Sequence, residues 1–300
     1  MSPRPLIGID IGGTKTEAVA LDRDSRIEAT VRLATVPGPE AVLGTAERAV
    51  RELRERTGRD DYAAIGIGLP GQLDRASGEI RNAYNMGIER LAIGPLLAER
   101  TGIDTQIDND VTAATIGAVH LMGLPGDVAY LNLGTGLASG AVVAGAPVRG
   151  AHGVSGEIGH LPISRLDRSC PCGQTGCLET QTSGAALKRF WPVGGDDPGP
   201  ALLAAIGRGD ETAQREFGYL VEGAASAVRL LALTFDPDSV VIGGGLRLLG
   251  GPLIGGIRGH LRRWADESPF IGELGLDERV KVLPEGSPAA AVGAALSALH

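Results

Sequence analysis

The segment LIGIDIGGTKTEAVAL, residues 6–21, consists of two apolar runs on either side of a central GGT, residues 12–14. The runs 6–11 and 16–21 each have the composition of a buried strand, and the short glycine turn between them predicts a hairpin. We expect glycine at this turn because the hairpin needs positive φ values. The glycines also leave backbone N–H groups uncovered, so the turn could bind phosphate oxygens. On this segment alone, an ordinary glycine-rich hairpin without a ligand is the alternative.

Two charged residues accompany the hairpin. Asp10 lies in the first apolar run, where its carboxylate could hold Mg²⁺ directly or through water. Lys15 follows the glycines, where a mobile positive charge could contact a phosphate. No helix is expected after the glycines, so the segment is neither a Walker loop nor a dinucleotide-binding turn. It predicts a phosphate and magnesium site made by Asp10, Gly12, Gly13, Thr14 and Lys15.

A second segment repeats this construction. DVAYLNLGTGLASGAVV, residues 127–143, has an apolar strand, the turn Gly134-Thr135-Gly136 and a strand of small residues. Two such units about 120 residues apart predict two related half-domains, with one hairpin for each side of a phosphate chain. This arrangement resembles the actin-like ATPase superfamily.

Size and composition favour a folded enzyme over a protein that binds nucleic acid or membranes. The chain has 300 residues, 43% of them hydrophobic, which is enough for two domains. A net charge of −8 and a pI near 5.2 argue against nucleic acid or an acidic membrane surface as a partner. No secretion signal precedes the first strand, and no stretch approaches the roughly 20 apolar residues of a membrane span. We therefore expect a cytoplasmic protein.

Strands and helices alternate along both halves of the chain, which predicts an α/β fold. The clearest helices are expected over residues 40–56 and 211–235. We place a small N-terminal α/β domain at residues 1–115 and a larger one at residues 116–288, joined by two chain crossings. The Ala-rich helix predicted over residues 289–300 is expected to pack back on the first domain.

The segment IDNDVTAA, residues 107–114, places Asn109 and Asp110 at a strand-to-helix junction. Either residue could simply cap the helix by accepting its first N–H groups, and the spacing alone favours that interpretation. The functional alternative is a carboxylate beside the phosphate hairpins that accepts a proton from a substrate hydroxyl. Both can hold, with Asn109 as the cap and Asp110 pointing outward.

All three cysteines of the chain lie within eight residues, in the pattern CxC-x4-C, and a histidine precedes the first of them by ten. Four such ligands in one short loop are typical of a closed, structural zinc site. The predicted ligands are His160, Cys170, Cys172 and Cys177. Three unconnected thiols with a surface histidine are the alternative. A bound zinc ion would order the loop and fix the carboxylates of Glu157 and Glu179, which suit paired hydroxyls.

Five motifs resemble the ROK family of sugar kinases and related repressors over essentially the whole chain. They are DIGGTK (10–15), NDVTAA (109–114), NLGTG (132–136), GEIGH (156–160) and CPCGQTGCLE (170–179). Any one motif is moderately specific, and five in family order are very specific. The resemblance implies two actin-like (ribonuclease H-like) α/β domains with a cleft between them. It also implies a zinc-bound loop in the larger domain and binding of ATP with Mg²⁺ and a hexose.

The resemblance further implies roles for individual residues. Asp110 would be the general base on the sugar hydroxyl, and His160 would contact both the zinc ion and the sugar. Sugar binding would involve Gly71, Asn85, Asn109, Asp110, Glu157, His160 and Glu179. Nucleotide binding would add Gly134, Thr135, Gly136, Gly243, Gly244 and Gly245, the last three at the adenosine. Asn85 fits its motif position better than Asn82. Homodimers or homotetramers are usual in such kinases.

Two departures from the family pattern bear on ligand choice. The residues after the second glycine turn, LAS at 137–139, stand where more glycines are usual, so nucleotide affinity or donor choice could differ. The sequence MGI at 86–88 lacks the usual aromatic residue after the sugar-contacting asparagine. This departure leaves open whether the substrate is glucose or a relative.

The sequence therefore predicts ATP-dependent phosphorylation of a hexose hydroxyl, with glucose to glucose 6-phosphate first among the reactions. Mannose, fructose, N-acetylglucosamine, N-acetylmannosamine and sugar-like alcohols are alternatives, because one sequence does not display the walls of the pocket. A sugar-sensing repressor fits less well, since such regulators carry a helix-turn-helix domain ahead of the first hairpin, where this chain has five residues. An actin-like ATPase without a sugar would leave the cysteine motif without a purpose.

Overall fold

The computed structural model describes residues 4–194 and 198–299 of the chain. In chain order the strands are β1 (Leu6–Ile11), β2 (Lys15–Leu21), β3 (Ile27–Ala34), β4 (Ala64–Leu69), β5 (Gln72–Asp74), β6 (Glu79–Ala83), β7 (Ile88–Leu91), β8 (Thr105–Asn109), β9 (Val128–Leu133), β10 (Leu137–Val143), β11 (Ala146–Pro147), β12 (Ser239–Gly243) and β13 (Val280–Val282). The helices are α1 (Pro39–Thr57), α2 (Ile93–Thr101), α3 (Asp110–Met122), α4 (Gly184–Phe190), α5 (Pro198–Gly207), α6 (Glu211–Phe235), α7 (Gly251–Glu267), α8 (Pro269–Glu273), α9 (Leu276–Arg279) and α10 (Ala289–Ser297). The predicted α/β fold class is confirmed.

The chain folds into two compact units. Unit 1 comprises the described parts of Met1–Gly123, Pro147–Gly153 and Gly286–His300, and unit 2 those of Leu124–Ala146 and Val154–Glu285. The boundary predicted at residue 115 falls inside α3, because no residue breaks that helix before the left-handed Gly123. The chain passes between the units four times rather than the expected two, because residues 147–153 return to unit 1.

The main sheet of unit 1 has the strand order β3-β2-β1-β4-β8. β1 and β2 pair antiparallel, with Ile9 opposite Ala18, so the predicted hairpin is confirmed. β1, β4 and β8 run parallel, and the apolar residues of β1 and β4 are buried. Parallel strands end at the same edge of a sheet. The end of β8, with Asn109, therefore lies at the edge that carries the β1–β2 turn.

A smaller antiparallel sheet, β5-β6-β7, lies between β4 and α2 in the chain and has no clear signal in the sequence. Its strands are three to five residues long and carry exposed polar residues such as Arg81 and Arg90, which face each other across β6 and β7. This sheet determines where the turns that hold Gly71 and Asn85 lie.

Unit 2 repeats the construction of unit 1. Its sheet has the order β11-β10-β9-β12-β13, with β9 and β10 antiparallel and β9, β12 and β13 parallel. Within the described chain, α6 alone is long and apolar enough, by length and composition, to cross a membrane, and half of that stretch is buried. Its buried residues belong to the core of unit 2. Buried core helices commonly have this length and apolar composition, so these features of α6 do not indicate a membrane span.

Helix α10, observed over Ala289–Ser297 where residues 289–300 were predicted, lies against the backbone of β1, β4 and α3; His300 is outside the described residues. A Cβ on Gly8 of β1 would overlap the carbonyl oxygen of Ala291, and a Cβ on Gly66 of β4 would overlap that of Ala294. Gly117 of α3 makes the same kind of approach to the start of α10. Glycine is required at these positions because the elements touch backbone to backbone.

Replacing Gly66 by alanine is expected to lower the free energy of unfolding by about 3 kcal/mol or more, the upper end of the roughly 1–3 kcal/mol typical of overpacking. The effect is large because neither the backbone of β4 nor that of α10 can move aside easily. Gly44 is the matched control, since it lies inside α1 and a Cβ there would meet no described atom within 4 Å. Gly44→Ala should stabilise by about 0.5–1 kcal/mol. Urea denaturation of both variants measures the difference, and equal midpoints would contradict the packing argument.

Candidate active site

The β1–β2 turn is closed by the Gly12 N–H, which donates to the Lys15 carbonyl at 2.9 Å. Neither Gly12 nor Gly13 has a left-handed backbone, so the expectation that this turn needs glycine for positive φ is wrong. A Cβ on Gly13 would make ordinary van der Waals contact with Nδ2 of Asn85 at 3.4 Å, whereas a Cβ on Gly12 would be tight against the Lys15 carbonyl at 3.3 Å. Thr14 and Lys15 are exposed at the tip. The turn therefore offers the backbone and side-chain donors that a phosphate requires.

Asp10 lies at the end of β1, opposite Glu17 on β2. Its pKa is raised to about 7, chiefly by burial and then by the carboxylates of Asp110 and Glu17, while Lys15 opposes the rise. Glu17 is also paired with Lys15 at 3.5 Å and with Arg32 at 2.5 Å. Carboxylates that repel each other in this way favour a divalent cation between or beside them. The residues present therefore fit Mg²⁺.

Replacing Asp10 by asparagine is expected to stabilise the metal-free protein near neutral pH. The folded-state pKa of about 7 lies above the ordinary value of 3.8, so the folded protein holds a proton that the unfolded chain releases first. Wild-type stability should therefore fall as pH rises between these values, and the asparagine variant should lack that fall. Thermal unfolding in EDTA should show Asp10→Asn melting a few degrees higher than wild type above neutral pH and at a similar temperature in acid.

The exposed Asp24 provides the control for this experiment, because its side chain is 70% exposed. Asp24→Asn should follow the wild-type profile across the same pH range. If Asp10→Asn also followed the wild-type profile, the raised pKa of Asp10 would be refuted.

Asn109 and Asp110 lie where β8 ends and α3 begins. The side-chain oxygen of Asn109 accepts the N–H groups of Val111 and Thr112 at 3.0 Å each, so the capping interpretation is confirmed for this residue. Any contact of Asn109 with a sugar would therefore use its amide nitrogen. The partly buried carboxylate of Asp110 accepts the Val111 N–H at 2.9 Å. It is also near enough to Asp10 to raise the pKa of Asp10. A carboxylate held in this position could receive a proton from a bound alcohol.

Sequence reasoning does not single out Asp108, which directly precedes this pair. The residue is only 3% exposed, and its carboxylate accepts hydrogen bonds from Arg149 at 2.7 Å and from Ser297 at 2.6 Å. The network ties residues 147–153 and α10 to the strand end that carries Asn109. The one sequence signal for Asp108 is the run of polar residues at the end of a buried strand. Its partners Arg149 and Ser297 lie far away in the sequence.

Gly71 and Asn85 are held by turns at the same end of the small sheet, because Gln72 at the start of β5 pairs with Arg81 near the end of β6. Gly71 has a φ of 114°, and a Cβ there would stand 3.2 Å from a carbonyl oxygen of β6, so glycine is required. Asn85 is exposed in a short 3₁₀ turn beside the β1–β2 hairpin. The side chain of Asn82 is bonded to Gln72 and to the hydroxyl of Tyr84, each at 2.9 Å. The placement of Asn85 therefore suits a ligand better than that of Asn82.

The β9–β10 turn is closed by the Gly134 N–H, which donates to the Gly136 carbonyl at 3.1 Å. Neither glycine has a left-handed backbone. The N–H of Leu137 donates to Oε2 of Glu179 at 2.8 Å. A predicted sugar-binding residue thus contacts the predicted phosphate hairpin directly, which the sequence did not indicate.

Glu157, His160 and Glu179 form one cluster in unit 2. Nε2 of His160 is 4.0 Å from Oε2 of Glu157, and Nδ1 of His160 is 3.7 Å from Sγ of Cys170. Desolvation raises the pKa of Glu157, with His160 opposing the rise and Glu179 adding to it. One ring nitrogen of His160 therefore points to the cysteines and the other to a carboxylate. This geometry suits a residue that contacts a metal and a sugar.

The ligand atoms of the four predicted zinc ligands lie within 4.8 Å of one another. Sγ of Cys172 and Sγ of Cys177 are 3.6 Å apart, close to the separation of two thiolates that each lie about 2.3 Å from one zinc ion. Burial raises the pKa of Cys177 to about 12, whereas hydrogen bonds from Gln174 lower that of Cys172 to about 6. A bound cation would deprotonate both thiols. The donor set fits zinc.

The glycines at the end of β12 have unequal surroundings. A Cβ on Gly243 would overlap the Tyr130 hydroxyl, and a Cβ on Gly244, which has a φ of 75°, would overlap the backbone of Leu133. A Cβ on Gly245 would meet no described atom within 4 Å. Packing against β9 therefore explains the first two glycines, and Gly245 is the one with room for a ligand.

Two hairpins with glycine turns, each in a five-stranded sheet of equivalent strand order, and an acid at the start of the helix after β8 are the features predicted for a phosphotransferase of the actin-like class. Comparison with known proteins specifies the family. Residues 6–299 match the model of the ROK family, and the chain belongs to that family. It is a ROK sugar kinase.

The chain is similar to the glucokinase of Streptomyces coelicolor, with 30% identity over 279 residues that cover 86% of this chain and 87% of that protein. It is also similar to the N-acetyl-D-glucosamine kinase of Citrobacter koseri, with 31% identity over 258 residues, 80% of this chain and 83% of that one. A ROK family glucokinase from Streptomyces griseus, solved in complex with glucose and AMPPNP, matches with a TM-score of 0.78 and 30% identity over 98% of this chain and 99% of that one. These relatives differ in the sugar for which they are named.

Proposed function

We propose that this chain transfers the γ-phosphate of ATP to the 6-hydroxyl of a hexose, with glucose as the main substrate and Asp110 as the general base. The observation that carries the proposal is the position of Asp110. It stands at the first turn of α3, at the sheet edge that carries the β1–β2 hairpin, and near Asp10. An acid beside a phosphate-binding turn suits proton removal from an attacking alcohol.

In this reaction different residues of the chain bind the phosphates, bind the sugar and accept the proton. The two hairpins and Lys15 bind the phosphates of ATP, and the predicted sugar-binding side chains hold the hexose by its hydroxyls. Asp110 accepts the proton of the 6-hydroxyl as the sugar oxygen bonds to the γ-phosphorus and the bond to ADP breaks. Orientation and charge stabilisation account for most of the acceleration in such transfers.

Two metals complete the proposal. Asp10 holds Mg²⁺, directly or through water, and the ion supplies positive charge that neutralises the phosphates. His160, Cys170, Cys172 and Cys177 hold a structural zinc ion that orders their loop. Three reduced thiols suit the cytoplasm, where ATP and Mg²⁺ are also present. We further propose a homodimer or homotetramer, as is usual in kinases of this family.

Glucose is proposed because the Streptomyces coelicolor relative is named a glucokinase and the Streptomyces griseus structure contains glucose. N-acetylglucosamine is the second candidate, because the Citrobacter koseri relative is equally similar. Formation of ADP, measured with a panel of hexoses and amino sugars, tests the assignment. We expect the highest kcat/KM with glucose. A higher value with N-acetylglucosamine would move the assignment to that sugar, and no stimulation by any sugar would refute the proposed reaction.

A further inference from the structure

The carboxylate of Glu179 joins two parts of unit 2 to which the sequence gives separate roles. Its Oε2 accepts the N–H of Leu137, the residue after the glycine turn of the second hairpin, at 2.8 Å. The same side chain is near enough to Glu157 to raise the pKa of that residue. Glu179 therefore lies against the predicted phosphate hairpin and within the predicted sugar-binding cluster at the same time.

The backbone around Glu179 also holds the hairpin. The N–H groups of Gly184 and Ala185 donate to the carbonyls of Gly134 and Thr135 at 2.8 and 2.9 Å. On the far strand, the N–H of Ser139 donates to a carbonyl of the GEIGH segment at 2.8 Å. Ser139 is one of the residues that depart from the family pattern, and its hydroxyl bonds the same carbonyl at 3.2 Å. The turn and its second strand, β10, are thus bonded to segments that flank the cysteine cluster.

Glycine makes this contact close. A Cβ on Gly136 would stand 2.5 Å from Oε2 of Glu179. A Cβ on Gly159 would overlap the Leu137 carbonyl and stand 3.3 Å from Cβ of Glu179. The glycines at these two positions allow the carboxylate to reach the hairpin backbone. A side chain at position 136 would displace the carboxylate rather than the hairpin, because the carboxylate is the flexible partner.

We propose that Glu179 is a positioning residue that couples sugar binding to nucleotide binding through the N–H of Leu137. One carboxylate oxygen fixes the hairpin that binds the phosphates. A sugar hydroxyl bound by the same carboxylate fixes the orientation of that carboxylate. Binding of either ligand orders the carboxylate on which the other ligand also depends. Each ligand therefore raises the affinity of the protein for the other by the same factor. The inference rests on the proposed function, because it takes a sugar as the ligand of Glu179.

The coupling is measured as the ratio of two dissociation constants of AMPPNP with Mg²⁺, determined by calorimetry without and with saturating glucose, or with the best sugar of the panel. We expect glucose to tighten AMPPNP binding of the wild type by about 5-fold or more. In Gly136→Ala and Glu179→Ala the ratio should fall to about one. Glu179→Gln should keep most of the coupling, because its amide oxygen can still accept the Leu137 N–H. Zinc content and the unfolding midpoint verify that each variant is folded.

Gly134→Ala is the matched control, because it adds the same methyl group to the same turn but places it 3.4 Å from Asn132 and away from Glu179. Whatever its absolute affinity, this variant should keep the wild-type ratio. A ratio of one in the wild type, or an unchanged ratio in both Gly136→Ala and Glu179→Ala, would overturn the inference while sugar phosphorylation stood. A wild-type protein that phosphorylates no sugar would refute the proposed function, and this inference with it.

Discussion

Replacement of Asp110 by asparagine is expected to lower kcat for sugar phosphorylation by roughly 10²–10⁴ while leaving the KM values for sugar and ATP close to wild type. Asparagine keeps the size of the side chain, and its oxygen can still accept the Val111 N–H that Asp110 accepts at 2.9 Å. What it loses is the ability to accept a proton. A loss confined to kcat is the result expected when an interaction acts mainly in the transition state.

Asp104→Asn is the control for this experiment. Asp104 is an exposed residue directly before β8, the strand that leads to Asp110. Steady-state kinetics of both variants with the best sugar provide the measurement, and Asp104→Asn should match the wild type. Near-normal turnover of Asp110→Asn would remove Asp110 from the role of base and require another acceptor for the proton.

Loss of the zinc ion is expected to have the second large effect. In Cys177→Ser one buried thiol is replaced by a much weaker ligand, and the loop would lose the proposed zinc ion, for which His160 is another proposed ligand. Because segments on both sides of this loop bond the β9–β10 hairpin, activity should fall together with zinc content. The fall should exceed the roughly 10–100-fold that is typical when an outer-shell partner of a metal ligand is removed.

Gln174→Ala provides an intermediate case in the same experiment. Gln174 contacts the sulfurs of Cys172 and Cys177 at 3.5 and 3.7 Å without being a predicted ligand. Its replacement should weaken zinc binding by the 10–100-fold expected of an outer-shell partner. Elemental analysis, with kinetics before and after treatment with a chelator, makes both comparisons. A zinc-free protein with full activity and unchanged stability would contradict the role given to the metal.

The features that sequence could predict are local. The hairpin of residues 6–21 follows from apolar runs around a short turn, and its repetition at residues 127–143 reveals the second sheet. The clustering of the four proposed zinc ligands follows from the spacing of the cysteines, since their donor atoms come from one short loop. The cap at Asn109 follows from its position ahead of a helix. In each case the interacting groups are close together in the chain.

The features that sequence could not predict depend on distant partners. Asp108 is buried beside Arg149 and Ser297, which lie 41 and 189 residues further along the chain. Glycine in the first turn is predicted to supply positive φ, but neither Gly12 nor Gly13 has a left-handed backbone. Gly136 of the second turn is explained by the side chain of Glu179 that lies against it. Such contacts arise from packing and leave no periodic pattern.

The most direct test of the central claim is to follow phosphorus from ATP into products by ³¹P NMR, with the zinc-loaded protein, Mg²⁺ and glucose. The account predicts one sugar phosphate, substituted at the 6-hydroxyl, for each ADP formed. ADP and inorganic phosphate in equal amounts, with no sugar phosphate from glucose or from any other sugar of the panel, would contradict it.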